Sequence, residues 1–153
     1  MKINSAPKTS APSITDVMDA LKKHIDAGDE IITFTISDDM STSGNIMRLV
    51  SKELESEDLI HVINSTNLST GIGLLILEAA IMVEEGKSAK EIINQIELLK
   101  PKVRASFVLD TLTYLHRGGR CNSIEILAGV VLKLHPLDVM KKLLTKYMTT
   151  CQH

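Results

Sequence analysis

The chain reads as an α/β protein, a parallel sheet with helices on both faces in three layers. Three observations predict this. Runs rich in β-branched residues, EIITFTIS (30–37), LIHVIN (59–64) and RASFVLD (104–110), alternate with segments of helical period. Helix start and stop signals separate them, hydroxyl or acidic caps in front and Gly or Pro behind. The apolar residues, 44% of the chain, are almost all aliphatic, with aromatics at 3% and no Trp. That is enough to bury a core, and 153 residues fit one domain. Seven Met suit a core or pocket that adapts its shape.

Residues 1–12 are polar and interrupted by proline, so they read as loop. Ser13 can cap a first helix, with Asp16 three places on. Ile14, Val17, Met18, Leu21 and Ile25 then form one apolar stripe, and Gly28 ends it. A strand follows over Glu30 to Ser37, and a hydroxyl-rich acidic loop over Ser37 to Asn45. A second helix is expected over Asn45 to Leu54, with Ile46, Leu49, Val50 and Leu54 inward. The second strand, Leu59 to Asn64, runs into the polar turn STNLSTGIG. A very apolar third helix spans Ile72 to Glu85, stopped by Gly86. Ser88 and Glu91 form a capping box for a fourth helix, which Pro101 closes. A third strand over Arg104 to Asp110, a short helix TLTYLHR ending at Gly118-Gly119, and an apolar helix from about Ser123 to Leu132 complete the order α-β-α-β-α-α-β-α-α. Crossovers between parallel strands should be right-handed.

Three strands make a thin parallel sheet, and the first helix has no strand before it. After Pro136 the chain continues as LDVMKKLLTKYMTTCQH, a basic amphipathic tail in which no further strand is expected. The organisation therefore reads as a fragment or a short relative of something larger.

Composition removes several function classes. A net charge of −2 offers no basic surface for nucleic acid, and there are few rings for bases to stack on. No run approaches the roughly 18 apolar residues of a membrane span; the longest is broken by Glu78. No apolar signal segment follows Met1-Lys2. Cys121 and Cys151 lack metal-ligand spacing. The expectation is a cytoplasmic protein without a metal or other cofactor.

In open parallel sheets, ligands bind beyond the carboxyl ends of the strands. Three hydroxyl-rich segments could meet there: PKTSAPS (7–13), SDDMSTSGN (37–45) and NSTNLSTGIG (64–73). Helix N-termini behind them favour an anion, and Gly71 and Gly73 would let backbone approach a ligand. Apart from Lys8 at the start of the first, the segments hold no Lys or Arg. That suits a carboxylate held by hydrogen bonds better than a polyphosphate. The same Ser, Thr, Asn and Gly residues are also what any βα turn uses. Enzyme signatures are missing: there is no GxSxG, HExxH or GxxxxGK[ST], and Gly71-Ile72-Gly73 lacks the third glycine of a dinucleotide fingerprint. His24, His61, His116 and His135 have no metal spacing. His24 reads as a solvated flank or a helper at the helix C-terminus, and His61 as a satisfied strand histidine. In YLHRGGRC (114–121), Arg117 and Arg120 flank a glycine pair. They read as exposed arginines or as a basic rim for an acidic partner.

These segments resemble the DegV family of bacterial fatty-acid-binding proteins. The residues that carry the resemblance are TSAPS, GDEIITFTISDDMS, VINSTNLSTGIGLLILEAA, EEGKSAKEI and FVLDTLTYLHRGGR, in order from about Pro7 to Leu134. They follow the family's TSxPS, ISSxLSGTY, V-D-S-x-x-x-S-x-G-x-G and D-T-L-x-Y-L-x-x-G-G-R-I patterns. The resemblance implies a DegV N-terminal-domain-like fold and a long-chain fatty acid in an apolar tunnel. It implies Thr9, Ser10 and Ser41 as carboxylate donors, with Ser65, Gly71 and Gly73 in a supporting loop. It implies no catalysis by this chain, which would present the acyl group to a separate fatty-acid kinase subunit, with Arg117 and Arg120 as candidate partner contacts. The chain departs from the family at Asp38, Thr42, Ser43 and Gly44, at Asn64 in place of Asp, and at Cys121 in place of Ile. A carboxylate at Asp38 would repel an anionic headgroup if it faced the site. The family's first strand, its D-S-T segment and its second domain have no counterpart. Residues 1–135 then read as a DegV-like lipid-binding domain and 136–153 as a divergent tail. Two alternatives stand beside this reading: a non-binding fragment or interaction module that forms homo-oligomers through exposed apolar surface, and a hydrolase using Ser41 with a nearby histidine.

Overall fold

A computed structural model describes residues 9–108, 113–119 and 137–139. The described elements are α1 (Ile14–Asp26), β1 (Ile31–Thr35), α2 (Ser43–Glu53), β2 (Ile60–Asn64), α3 (Ser69–Glu84), α4 (Ala89–Leu99), a 3-10 turn (Lys100–Lys102), β3 (Ser106–Val108), α5 (Thr113–Arg117) and β4 (Leu137–Val139). They divide into a unit formed by Ala11–Ala105 and a second unit holding the remainder.

In the first unit, β1 and β2 pair in parallel, from Ile31 opposite Ile60 to Thr35 opposite Asn64, with α2 as the crossover. Alternation along the strands sends side chains to two faces. On one face, Val17 and Leu21 of α1 and Val50 of α2 bury with Ile60, and Ile31 and Val62 pack against them. On the other, Leu75, Ala79 and Met82 of α3 and Ile92 and Ile96 of α4 bury with Ile63, and Ile32 and Phe34 pack against these. The three expected layers are therefore present: α1/α2, the parallel pair, and α3/α4. Near-continuous apolar strands are what a sheet covered on both faces requires.

Local signals place most helix ends. Ser13 caps α1, its Oγ accepting from the Asp16 N–H at 3.1 Å. At α4 both halves of the capping box form: the Glu91 N–H donates to Ser88 Oγ, and the Ser88 N–H donates to Glu91 Oε2 at 2.9 Å. Pro101 stands in the 3-10 turn that finishes α4.

Four expectations are corrected. Leu49, expected inward on the second helix, is exposed on α2. The third helix starts at Ser69 rather than Ile72, so Gly71 and Gly73 lie in the first turns of α3 and not in a loop. No side chain caps this end: the cap position is Leu68, and burial of Leu75 and Ala79 against the sheet holds the helix instead. In the second unit, β3 pairs antiparallel with β4, Phe107 opposite Asp138. The third strand thus has an antiparallel partner after Pro136, in a segment where no strand was expected. A run of only three residues carries too weak a pattern to announce itself.

α3 is apolar nearly all round. Its buried side faces α4 and the sheet, while Leu74, Leu77 and Ile81 on the opposite side stay half or more exposed, Leu77 at 62%. No helix among the described residues is long and apolar enough to cross a membrane.

Candidate functional site

The carboxyl ends of β1 and β2 release two loops side by side, residues 36–42 and 65–68. The loops are joined to each other. The Ser37 N–H donates to the Asn67 carbonyl at 2.9 Å, and the Ser65 N–H donates to the Thr35 carbonyl at 3.1 Å. Asn64, at the end of β2, accepts through Oδ1 from the N–H groups of Asp38 (3.3 Å) and Thr66 (3.0 Å). The family's Asp at this position could accept in the same way, so the change to Asn keeps the bracket while removing a charge.

Ser41 hangs from this bracket. Its N–H donates to the Ser37 carbonyl at 3.2 Å, beside Met40 N–H on the same oxygen. Its half-buried hydroxyl accepts from the Ser43 N–H at 3.2 Å and lies 2.8 Å from Ser43 Oγ. With the Ser43 hydroxyl as donor, Ser41 Oγ has both lone pairs engaged at the start of α2 and its own O–H left to give. A hydroxyl polarised by two donors is a stronger donor itself, and the adjoining helix N-terminus favours an anion as acceptor.

Asp38 does not stand as a free anion beside it. Arg48, one and a half turns into α2, donates from Nη2 to Asp38 Oδ2 at 2.8 Å and to Asn45 Oδ1 at 2.8 Å. Asp38 Oδ1 is buried without a hydrogen-bond partner among the described residues, against Gly44, where a Cβ would overlap it. The expected repulsion is therefore offset by a cation that loop composition could not reveal, because Arg48 sits ten residues away on a helix.

The supporting loop is placed more closely still. Ser65 is fully buried; its hydroxyl donates to the Asn67 carbonyl (3.2 Å) and accepts from the Asn67 N–H (3.1 Å). Gly71 is needed for close packing inside the protein: a Cβ there would overlap the Asn67 carboxamide. Gly73 has open space where a Cβ would be. Sequence reasoning passed over both Asn67 and Arg48.

Ser41, Ser65, Gly71 and Gly73 thus share one unit and one sheet edge. Thr9 and Ser10 are exposed and belong to the other unit. Arg117 is exposed at the end of α5, its guanidinium 5.9 Å from the Tyr114 ring centroid; Arg120 lies outside the described residues. His61 pairs with Glu30 (2.8 Å), as a satisfied strand histidine should, and His24, late in α1, pairs with Asp29 (3.0 Å). None of the hydrogen bonds described at Ser41 involves a histidine. No cluster of three potential metal ligands occurs among the described residues.

These features define an α/β protein with a hydroxyl-rich loop pair at the edge of a parallel pair covered on both faces. A sequence model described as "Uncharacterised protein, DegV family" matches residues 1–150, past the point where the motif resemblance stops. The chain belongs to the DegV family. A DegV domain-containing protein of Clostridium acetobutylicum is 34% identical over 139 residues, 88% of this chain and 50% of that one. A stearic-acid-binding protein of Eubacterium ventriosum superposes with a TM-score of 0.80 at 30% identity, over 92% of this chain and 49% of that one. DegV of Bacillus subtilis, a fatty-acid-binding protein, superposes with a TM-score of 0.77 at 28% identity, over 92% and 50%. The chain spans about half the length of the relatives it matches.

Proposed function

We propose that this chain binds a long-chain fatty acid through its carboxylate, in the cytoplasm and without catalysing a reaction, and that it serves a separate kinase that phosphorylates the acyl group. The observation that carries the reading is the Ser41 hydroxyl, which accepts from the Ser43 N–H and shares a hydrogen bond with the Ser43 hydroxyl at the start of α2. Ser41 donates to the carboxylate, a role that the family resemblance also gives Thr9 and Ser10 of TSAPS, and Ser65, buried in the turn before α3, supports it. Likeness to solved proteins that bind stearic and other fatty acids favours the same ligand class. Residues 1–135 form the lipid-binding part and 136–153 a divergent tail, and Arg117 and Arg120 offer a basic contact to the kinase.

A second reading has its own observation. The outer face of α3 exposes Leu74, Leu77 and Ile81 in one stripe, and a face of that kind favours association with another protein or a second copy. One experiment separates the two. The purified protein is weighed by native mass spectrometry and its organic extract analysed. The binding reading expects one fatty acid per chain, lost in Thr9→Ala and Ser41→Ala. An oligomer that carries no lipid would overturn it.

A further inference from the structure

Within the candidate site, one residue, Asn67, is tied to three segments, to one of them by its side chain and to two by its backbone. Asn67 is 1% exposed. Its Nδ2 donates to the Val103 carbonyl at 3.0 Å, which anchors it to the segment that follows α4. Its main-chain carbonyl accepts from the Ser37 N–H of the first loop and from the Ser65 hydroxyl of its own loop. Its side-chain Oδ1 is buried with no hydrogen-bond partner among the described residues, in the space left by the missing Cβ of Gly71. The two residues around it that bend the turn, Thr66 (φ +52°) and Ser69 (φ +49°), are non-glycine residues in the left-handed region. A β-branched residue rarely adopts that conformation unless its surroundings impose it.

From Asn67 a short path runs to Ser41. The Asn67 carbonyl holds the Ser37 N–H, and the Ser37 carbonyl holds the Ser41 N–H. We infer that Asn67 is the positioning residue of the anion site: it clamps the two loops and the Val103 strand entry together and so sets where the Ser41 hydroxyl points. This rests on the reading of Ser41 as a carboxylate donor. The cost of a buried, unpartnered amide oxygen is otherwise unexplained, since an apolar residue would fill the volume without it. What an apolar residue could not supply is the hydrogen bond to Val103 that fixes the turn.

The test uses the full chain and two probes of equal tail length, octadecanoic acid and octadecan-1-ol, measured by displacement of an apolar fluorophore. A positioning role predicts that Asn67→Ala lowers affinity for the acid about tenfold, the scale of one weakened charge-assisted hydrogen bond. Affinity for the alcohol should change less than about twofold, since burial of the tail follows its apolar area. Gly71→Ala, which displaces the same carboxamide without changing it, should do likewise. If acid and alcohol lose affinity together, or neither does, the role is structural only and the inference fails. Should Asn67→Ala not fold, Gly71→Ala and Ser65→Ala carry the comparison. Amide hydrogen exchange gives a readout that needs no ligand. Asn67→Ala should accelerate exchange at Ser37 and Ser41 and leave Ile92 and Ile96 unchanged; unaltered protection at Ser37 and Ser41 would overturn the coupling. Wild-type protein that binds neither probe would refute the fatty-acid reading, and exchange would still decide the clamp.

Discussion

Removing Arg48 should weaken binding of an anion at Ser41 even though Arg48 itself is not placed as a ligand. Asp38 Oδ2 has Arg48 as its described partner, and Oδ1 is buried with none. Arg48→Ala therefore uncovers a full negative charge on the loop that carries Ser41. The pair is partly exposed, with side-chain accessibilities of 43% and 31%, so its loss should cost the fold no more than about 1 kcal/mol. The effect on the ligand is separate. Two like charges about 8 Å apart in an effective dielectric of about 40 repel by roughly 1 kcal/mol, which is about a fivefold loss of affinity. The assay is titration with octadecanoic acid at low salt, on Arg48→Ala, Asp38→Asn and the double variant. Arg48→Ala should lose about fivefold, and Asp38→Asn in the same background should restore it, which isolates the charge from the packing. Added salt should shrink the difference. An Arg48→Ala protein that binds the acid as well as wild type, or a double variant that stays as weak as the single one, would refute the reasoning.

Two further predictions concern stability. Leu75 is fully buried between the sheet and α4, so Leu75→Ala should lower unfolding free energy by about 2–5 kcal/mol in urea titration; a loss under about 1 kcal/mol would mean α3 is not docked as described. The Glu91 carboxylate is held below its ordinary value of 4.5, first by the Ser88 hydroxyl and then by the Ser88 N–H, with a small contribution from Lys87. A carboxylate whose folded value is depressed binds fewer protons than in the unfolded chain. Its stabilising contribution is thus complete above pH 4.5 and fades as the pH falls through the lower, folded value. Thermal melts below pH 4.5 should therefore show a shallower acid limb in Ser88→Ala than in wild type, and parallel limbs would contradict the assignment.

Much of the fold was legible because its signals are local. Ser13 with Asp16, and Ser88 with Glu91, are pairs three residues apart whose bonds form within one helical turn. The two covered strands announce themselves by β-branched density. The candidate site was legible only in part. Loop composition pointed to the hydroxyl-rich segments 37–45 and 64–73, and the family resemblance singled out Ser41 within the first. Composition could not tell a loop glycine from a helical one, so Gly71 and Gly73 were assigned to the wrong kind of backbone. Neither could it show that Asp38 is countered, because its partner lies ten residues on.

By itself, then, the sequence determined the α/β class, the order of elements in the first unit, the helix caps and the hydroxyl character of the edge where β1 and β2 end. Each of these rests on contacts within a few residues or on a repeating period. Tertiary structure alone decided that α3 begins uncapped at Ser69, that β3 pairs antiparallel with β4, that Arg48 covers Asp38, and that Asn67 ties Val103 to Ser37 and so to Ser41. Several of these join residues tens of positions apart. Their free energy comes from burial and from hydrogen bonds that exist only once the layers have closed, so no local pattern records them.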